Sequence, residues 1–473
     1  MTWLFLVALP LASALVVLTT RGTRRASTVL LVSAGLTSIV ATVHAVLPTR
    51  APLLEGYLHG DATVQLFAPV INVIFAGIAV YVRARVATEP ASRRFVFLAL
   101  VFLAASNLAL LSNHLLLMWI GIECTTLAAA LMIVRPDVPA SRLASWRYLL
   151  FSTVGLGLVV LGLSCLTRSM ELAGQAPTLF LDAMPAVVAS PPDAWRELGI
   201  GLVVLGIGTK LGLAPMYSWL PEAYDEAPAP VTAMLGAVQF NCALVLLFRV
   251  VHVYRPGSGG LITGELLTIG LASVAVSTAS IVATRNFKRL LAYASINHAG
   301  VIAIGLGLPS SASYGLLLYV LSNAFIKAIL FLTAGKIEAH YGTKDKSLIG
   351  GLIKDLPYSG LFLMVGTFAL LGFPPFGSFL GELLILSALV TSGQMFVFAA
   401  FCVLITVSFV ATGRTIFPMI WGEPQQERTW PPQRITEGLH KLIFFVLLLV
   451  LGIYIPPQLN SLMTQVARSL EGA

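Results

Sequence analysis

The stretch Gly206-Ile207-Gly208-Thr209-Lys210-Leu211-Gly212-Leu213-Ala214-Pro215 decides how this chain folds. It is apolar enough to lie in a bilayer, yet it carries a lysine and breaks at glycine and proline. A second stretch, Gly372-Phe373-Pro374-Pro375-Phe376-Gly377-Ser378-Phe379-Leu380-Gly381-Glu382, repeats the combination with a glutamate in place of the lysine. A charge inside an apolar span costs on the order of 2.5–3.5 kcal/mol on insertion scales unless it is partnered or hydrated. Pro215 in the first stretch, and Pro374 with Pro375 in the second, remove backbone donors and leave carbonyls free. That is tolerable at membrane depth only beside protein or water. Both stretches therefore predict broken helices facing a polar interior.

Composition makes the bilayer reading necessary. Of 473 residues, 57% are hydrophobic and only 11% charged, whereas a soluble domain is about one quarter charged. Such a chain cannot clothe a globule with hydrated surface, so a soluble enzyme is excluded. Apolar segments bounded by charged or Pro/Gly-rich breaks fall near 3–20, 26–47, 64–82, 95–112, 114–134, 145–167, 197–219, 228–250, 262–284, 290–308, 312–335, 357–392, 395–420 and 439–455. Counting 357–392 as one broken span, these predict an all-α polytopic membrane protein of about fourteen transmembrane helices.

Loop charge tests that count. With fourteen spans, alternate loops place 21 Lys and Arg residues on one face, among them Arg428 and Arg434, and six on the other: Arg50, Arg168, Arg196, Arg249, Arg255 and Arg468. A wrong count would scramble the split. The basic loops are expected in the cytoplasm, with both termini on the outer side of a bacterial or archaeal-type inner membrane. The net charge of +8 thus reads as loop charge, not as a nucleic-acid surface. The longest loop, about 168–196, is expected on the outer surface. Leu11-Ala12-Ser13-Ala14 resembles a signal-peptidase site, but no basic segment precedes it and another span follows at once, so a retained first helix is expected.

Several classes find no support. Cys124, Cys165, Cys242 and Cys402 lie in apolar runs, form no C-x-x-C and have no histidine cluster beside them, so they read as core residues and no metal is expected. Gly155-x-Gly157 and Gly206-x-Gly208 resemble pieces of nucleotide fingerprints, but neither follows a strand; close helix packing accounts for them. No nucleophile–base set and no site for a redox or other cofactor is found.

The charges left inside spans carry the functional signal: Lys210, Lys327, Glu123 and Glu382, with His298 as an additional, less specific candidate. One buried ion pair would be explained by helix packing. Four such residues on four different spans suit a relay, because burial disfavours the charged form of either type and brings both toward proton exchange near neutral pH. They must face the bundle interior, and Glu123 is expected within hydrogen-bond or one-water reach of Lys210. Asp225 and Glu226 form an acidic turn that is either a solvated loop or the flank of a proton entrance.

The two broken spans are the seventh and twelfth. Five is odd, so units containing them run in opposite senses, as in an inverted repeat with ion sites at the breaks. The expected organisation is a single membrane domain: helices 1–3 over 1–94, a first five-helix repeat over 95–250, a second over 262–421, and helix 14 with a tail over 436–473.

At these residues the chain resembles a known family. The run from Lys210 through Pro221 to Pro230-Val231, with Lys288-Arg289-Leu290-Leu291-Ala292-Tyr293-Ala294-Ser295 and Ala324-Phe325-Ile326-Lys327-Ala328-Ile329-Leu330-Phe331, is similar to the antiporter-like membrane subunits of respiratory complex I, multisubunit cation/proton antiporters and group 4 membrane-bound hydrogenases. The resemblance covers most of spans four to thirteen. It implies fourteen core helices in two inverted five-helix units, a Glu123–Lys210 pair, Lys327 as the central lysine of the eleventh helix and Glu382 as the charge at the exit. Asn241-Cys242-Ala243-Leu244 and His298 to Gly307 resemble the hydrogenase-linked branch most. Gly236 and Asn323 depart from the histidines found in many members, so the central water wire must bridge those places another way or conduct less well.

What the resemblance implies is a proton-translocating subunit of a redox-driven complex, without a cofactor of its own and partnered by other membrane and soluble subunits. The alternative is a cation/proton channel or antiporter subunit without redox partners, for example one energising a zinc-dependent inorganic-carbon uptake protein. A purely structural scaffold is disfavoured by the intact Glu123 and Lys210.

Overall fold

The computed structural model describes residues 2–47, 53–86, 91–184, 193–308, 312–423 and 438–471. Arg50, Arg428, Arg434 and residues 185–192 of the expected outer loop lie outside the described residues. The described chain is helical, with only isolated bridging pairs such as Asn286 with Asp345. Its helices are α1 Phe5–Thr19, α2 Thr23–Ala45, α3 Ala62–Ala84, α4 Arg93–Leu111, α5 Leu115–Ile133, α6 Pro139–Leu172, α7 Ala194–Leu211 and α8 Trp219–Glu226. They continue with α9 Ala229–Tyr254, α10 Leu261–Ala283, α11 Phe287–Gly307, α12 Ser313–Tyr341, α13 Pro357–Leu370, α14 Gly377–Thr391, α15 Met395–Trp421, α16 Leu439–Ile453 and α17 Pro457–Glu471.

Ten of these helices are long and apolar enough to cross a membrane, and α1, α13 and α14 are shorter apolar helices. The protein is therefore a multi-pass, all-helical membrane protein. Polar residues at the boundaries start the helices. Asp61, Ser92 and Asp193 each accept from a backbone N–H three residues on, and Asn286 accepts from the N–H groups of both Lys288 and Arg289.

Burial grades from a wholly enclosed centre to a lipid-like rim. The apolar windows of α9 and α12 are buried throughout, whereas α2 and α15 show large apolar side chains such as Ile39 and Val403 on the surface. In water those chains would be a liability; against acyl chains they lose nothing. Glycine lets particular helices touch backbone to backbone. A Cβ on Gly206 of α7 would stand 2.5 Å from the Gly155 carbonyl of α6, one on Gly270 of α10 would stand 2.9 Å from that of Gly300 in α11, and one on Gly381 of α14 would stand 2.7 Å from that of Gly315 in α12. The packing role expected of Gly155 and Gly206 is observed. Gly157 meets nothing within 4 Å.

Three features add detail to these expectations. The seventh span, expected near 197–219 with a break at its Gly/Pro stretch, is helical only to Leu211, where Gly212 adopts φ +76° and an unwound stretch follows to Ser218. The tail expected after the last span contains α17, an amphipathic helix bent 72° from α16, with carbonyls at its end held by His252 and Arg255. Finally, not every basic residue outside Lys210 and Lys327 is hydrated. Arg249 is buried against Asp61 at 3.1 Å and donates to the carbonyls of Leu110 and Ser112, and Lys288 is 1% exposed.

Candidate functional site: a buried chain of polar groups

Lys210 occupies the last turn of α7, just before the chain unwinds, and is 4% exposed. Its three donor positions are used. Nζ donates to Thr126 Oγ1 at 2.7 Å, Tyr148 Oη at 3.0 Å and Ser152 Oγ at 3.2 Å. Glu123 lies one turn before Thr126 on α5. Its Oε1 accepts from Thr153 Oγ1 at 3.4 Å, while Oε2 is enclosed and has no hydrogen-bond partner. Direct Glu123–Lys210 contact is not formed: among the described residues no carboxylate oxygen lies within 4 Å of Lys210 Nζ. The helical rise of about 1.5 Å per residue explains the substitution, since a three-residue step moves the reach of Lys210 from Glu123 to Thr126.

The polar chain goes on through residues the sequence did not single out. Tyr148 Oη donates to Gln239 Oε1 at 3.0 Å, and Gln239 Nε2 donates to Thr125 Oγ1 at 2.6 Å. Gln239 closes a π-helical turn, Met234–Gln239, inside α9. That wider turn puts Gln239 and Phe240 side by side at the centre of the bundle. Beyond Phe240, on α12, is Lys327, 2% exposed. Lys327 Nζ has no hydrogen-bond partner and stands 3.7 Å from the Phe240 ring centroid. Both side-chain polar atoms of Asn323, one turn earlier, are likewise unpartnered. Gly236 has a steric reason to be glycine: a Cβ there would stand 2.9 Å from Phe331 Cε2.

At the second break, α13 ends at Leu370, Gly372 adopts φ +67° and α14 starts at Gly377. Ser378 Oγ ties the two pieces by donating to the Ala369 carbonyl at 2.7 Å. Both breaks contain a cis X–Pro peptide, Ala214–Pro215 and Pro374–Pro375. Glu382 Oε2 rests against the backbone of Gly372, 2.8 Å from where a Cβ would be. It faces a cavity of about 210 Å³ that Asn297, His298, Tyr319 and Thr412 also line. His298 Nδ1 and Tyr319 Oη are 2.7 Å apart. His298 and Glu382 thus share one cavity, Lys327 is not among its lining residues, and Glu123 with Lys210 forms a separate cluster.

A second charged group lies at the end of the bundle that carries the basic loops, where α8 finishes. Asp225 Oδ2 accepts from Arg289 Nε at 2.8 Å and Asp225 Oδ1 pairs with Lys344 Nζ at 2.9 Å. Lys344 also reaches Glu226 at 3.2 Å, Arg135 reaches Glu226 at 3.4 Å, and Lys288 reaches Glu338 at 2.8 Å. Lys288 and Lys344 both donate to the Asp225 carbonyl, satisfying an orphan acceptor at the end of α8. The acidic turn is therefore part of an ion network centred on the buried Asp225 and not a solvated loop. Burial alone would raise the Asp225 carboxyl, but the Lys344 charge and hydrogen bonds from Lys344, Arg289 and Asn286 outweigh it and hold the group below the usual carboxylate range.

With this geometry in hand, comparison with known proteins is informative. Residues 112–408 match the family model described as NADH:quinone oxidoreductase/Mrp antiporter, TM. The chain is 33% identical over 387 residues to a hydrogenase-4 component F homolog of Methylacidiphilum infernorum, covering 78% of each chain. It is 26% identical to NADH-quinone oxidoreductase subunit N of Nitrosomonas europaea, covering 78% of this chain and 77% of that one. Its fold matches a chain in the structure of an archaeal membrane-bound sulfane sulfur reductase with TM-score 0.87 at 22% identity, covering 99% of this chain and 97% of that one. The family match spans α5 to α15, the region that contains both breaks and every buried charge discussed above. The chain belongs to the NADH:quinone oxidoreductase/Mrp antiporter family of membrane subunits.

Proposed function

We propose that this chain is a proton-translocating subunit of a redox-driven membrane complex, of the complex I-like or hydrogenase-like kind, conducting protons along Glu123, Lys210, Lys327, His298 and Glu382. The observation that carries the reading is the pair of enclosed lysines. Lys210 has only hydroxyl partners and Lys327 has no hydrogen-bond partner. A lysine held in an apolar interior with no carboxylate bonded to it gains nothing that leucine or methionine would not supply more cheaply. Its retention suits a group that gains and loses a proton, with Glu123 and Glu382 as acceptors at the two ends.

The wider architecture follows the same reading. Fourteen crossings place both termini outside. Residues 95–250 and 262–421 form two inverted five-helix units, preceded by 1–94 and followed by 436–473. The breaks at Pro215 and at Pro374–Pro375 occupy matching places in helices seven and twelve. The paired close approaches Gly155–Gly206 and Gly315–Gly381, each beside a break, support that correspondence. Other membrane and soluble subunits supply the redox chemistry, and this chain needs no cofactor.

Lys210→Met combined with Glu123→Gln tests the relay without stranding a charge. Wild type and the double variant are reconstituted with their partner subunits in vesicles, and a pH-sensitive dye follows pumping. The relay predicts loss of pumping in a correctly inserted, assembled variant; unchanged pumping overturns it. If ion movement persists in the wild-type chain after its redox partners are removed, the channel or antiporter reading replaces the redox-driven one.

A further inference from the structure

We propose that Phe240 is the gate between the two halves of the relay, held shut by the charge on Lys327; the proposal rests on the relay reading above. The Lys210 ammonium, the Tyr148 hydroxyl and the Gln239 amide form an unbroken hydrogen-bonded series in the first half. The next group toward Lys327 is a phenyl ring, which neither donates nor accepts a hydrogen bond strong enough to pass a proton. Gln239 and Phe240 are consecutive helical residues, so their side chains diverge by about 100° at 3.6 residues per turn. One turns to Tyr148 and Thr125, the other covers Lys327. The π-helical turn just before them supplies the extra residue that sets this phase, and such turns recur at functional sites.

The contact is sensitive to charge. An ammonium is drawn to the ring face by the quadrupole, and a neutral amine is not. Lys327 Nζ has no hydrogen bond to compete with the ring face, which stands 3.7 Å away. While Lys327 carries its proton, Phe240 stays over it and seals the first half from the second. When Lys327 gives that proton to the cavity that holds His298 and Glu382, the ring is released. Water admitted by its movement then brings the next proton from the Gln239 side to the neutral amine. The order of events is set by the lysine's own charge, and back-flow is blocked when the site is full.

The test measures passive leak. The chain and its partners are reconstituted in vesicles without turnover, an inside-negative potassium diffusion potential is imposed, and an internal dye reports proton entry. Phe240→Ala is expected to leak roughly tenfold faster than wild type, which corresponds to removing a barrier of about 1.4 kcal/mol. Phe240→Tyr keeps an aromatic face and is expected to stay tight. Phe240→Leu fills similar space without that face and is expected to leak; it also serves if the alanine variant fails to insert. Adding Lys210→Met to Phe240→Ala is expected to abolish the leak. A Phe240→Ala or Phe240→Leu protein as tight as wild type overturns the gate. A leak that survives Lys210→Met overturns the relay through Lys210 while leaving the seal with Phe240.

Discussion

Lys210 Nζ and Tyr148 Oη lie 3.0 Å apart, and the same hydroxyl passes its hydrogen on to Gln239. Tyr148 is thus both acceptor from a lysine on α7 and donor to an amide on α9, while its own helix is α6. Three helices meet at one oxygen. The Tyr148 ring also packs on Trp219, with centroids 5.1 Å apart, so the hydroxyl is aimed by the start of α8. Any movement of the short helix beyond the break reaches the lysine through this ring.

Replacing Tyr148 by phenylalanine keeps the ring and removes the oxygen. Pumping by the reconstituted complex should fall by roughly tenfold or more, equivalent to at least about 1.4 kcal/mol of barrier. The unsatisfied Gln239 oxygen should cost about 1–3 kcal/mol of stability. Dye-monitored pumping and thermal unfolding in detergent separate the two effects. Full pumping in the variant would show that the hydroxyl is not on the path.

Gly206 and Gly157 make a matched pair of packing tests. Gly206→Leu has to displace the Gly155 backbone, so α6 and α7 should separate, with about 1–3 kcal/mol lost and the environment of Lys210 disturbed. Gly157→Ala meets nothing within 4 Å and should be neutral or stabilising by about 0.4–1 kcal/mol. Thermal unfolding of both variants in the same detergent checks the contrast; equal effects would contradict the packing described.

Gly236 should not accept a histidine. Phe331 occupies that space, so Gly236→His should lower stability and fail to raise proton transport. Gly236→His together with Phe331→Ala opens the site and should recover stability relative to Gly236→His alone. A stable, faster-pumping single variant would refute the steric account.

The ion network predicts a pH dependence. Asp225 has a lowered carboxyl in the folded protein, so it binds fewer protons folded than unfolded. Its contribution is fully present above the unfolded value of about 3.9 and is lost as pH falls through the lower folded value. Wild type should therefore lose stability as pH drops below about 4. Asp225→Asn should be less stable by about 1–3 kcal/mol at neutral pH, since it removes the charged partner of Arg289 and one of the carboxylates paired with Lys344, and flatter in that acid range. Unfolding midpoints across pH for both proteins test this; parallel curves would remove Asp225 from the network's energetics.

Membrane class and the ends of α7 and α13 at Gly/Pro-rich stretches were legible in the sequence, because hydropathy, glycine and proline are local properties of the chain. Lys210 and Lys327 are buried, Glu382 is half-buried against a cavity, and Gly155 and Gly206 do pack helices. What those charges touch was not legible. Lys210 meets residues 62 and 84 positions away, and a single helical turn decides whether Glu123 or Thr126 comes within reach. Tyr148, Gln239 and Phe240 looked like ordinary span residues; only the rotation of α9 at its π-helical turn aims Gln239 at Tyr148 and Phe240 at Lys327. Arg289, Lys344 and Asp225 read as loop charges, and tertiary packing closed them into a network. Burial cost depends on one residue and its immediate neighbours, so sequence reveals it; hydrogen bonds require two helices at a set distance and rotation, so only the assembled bundle decides them.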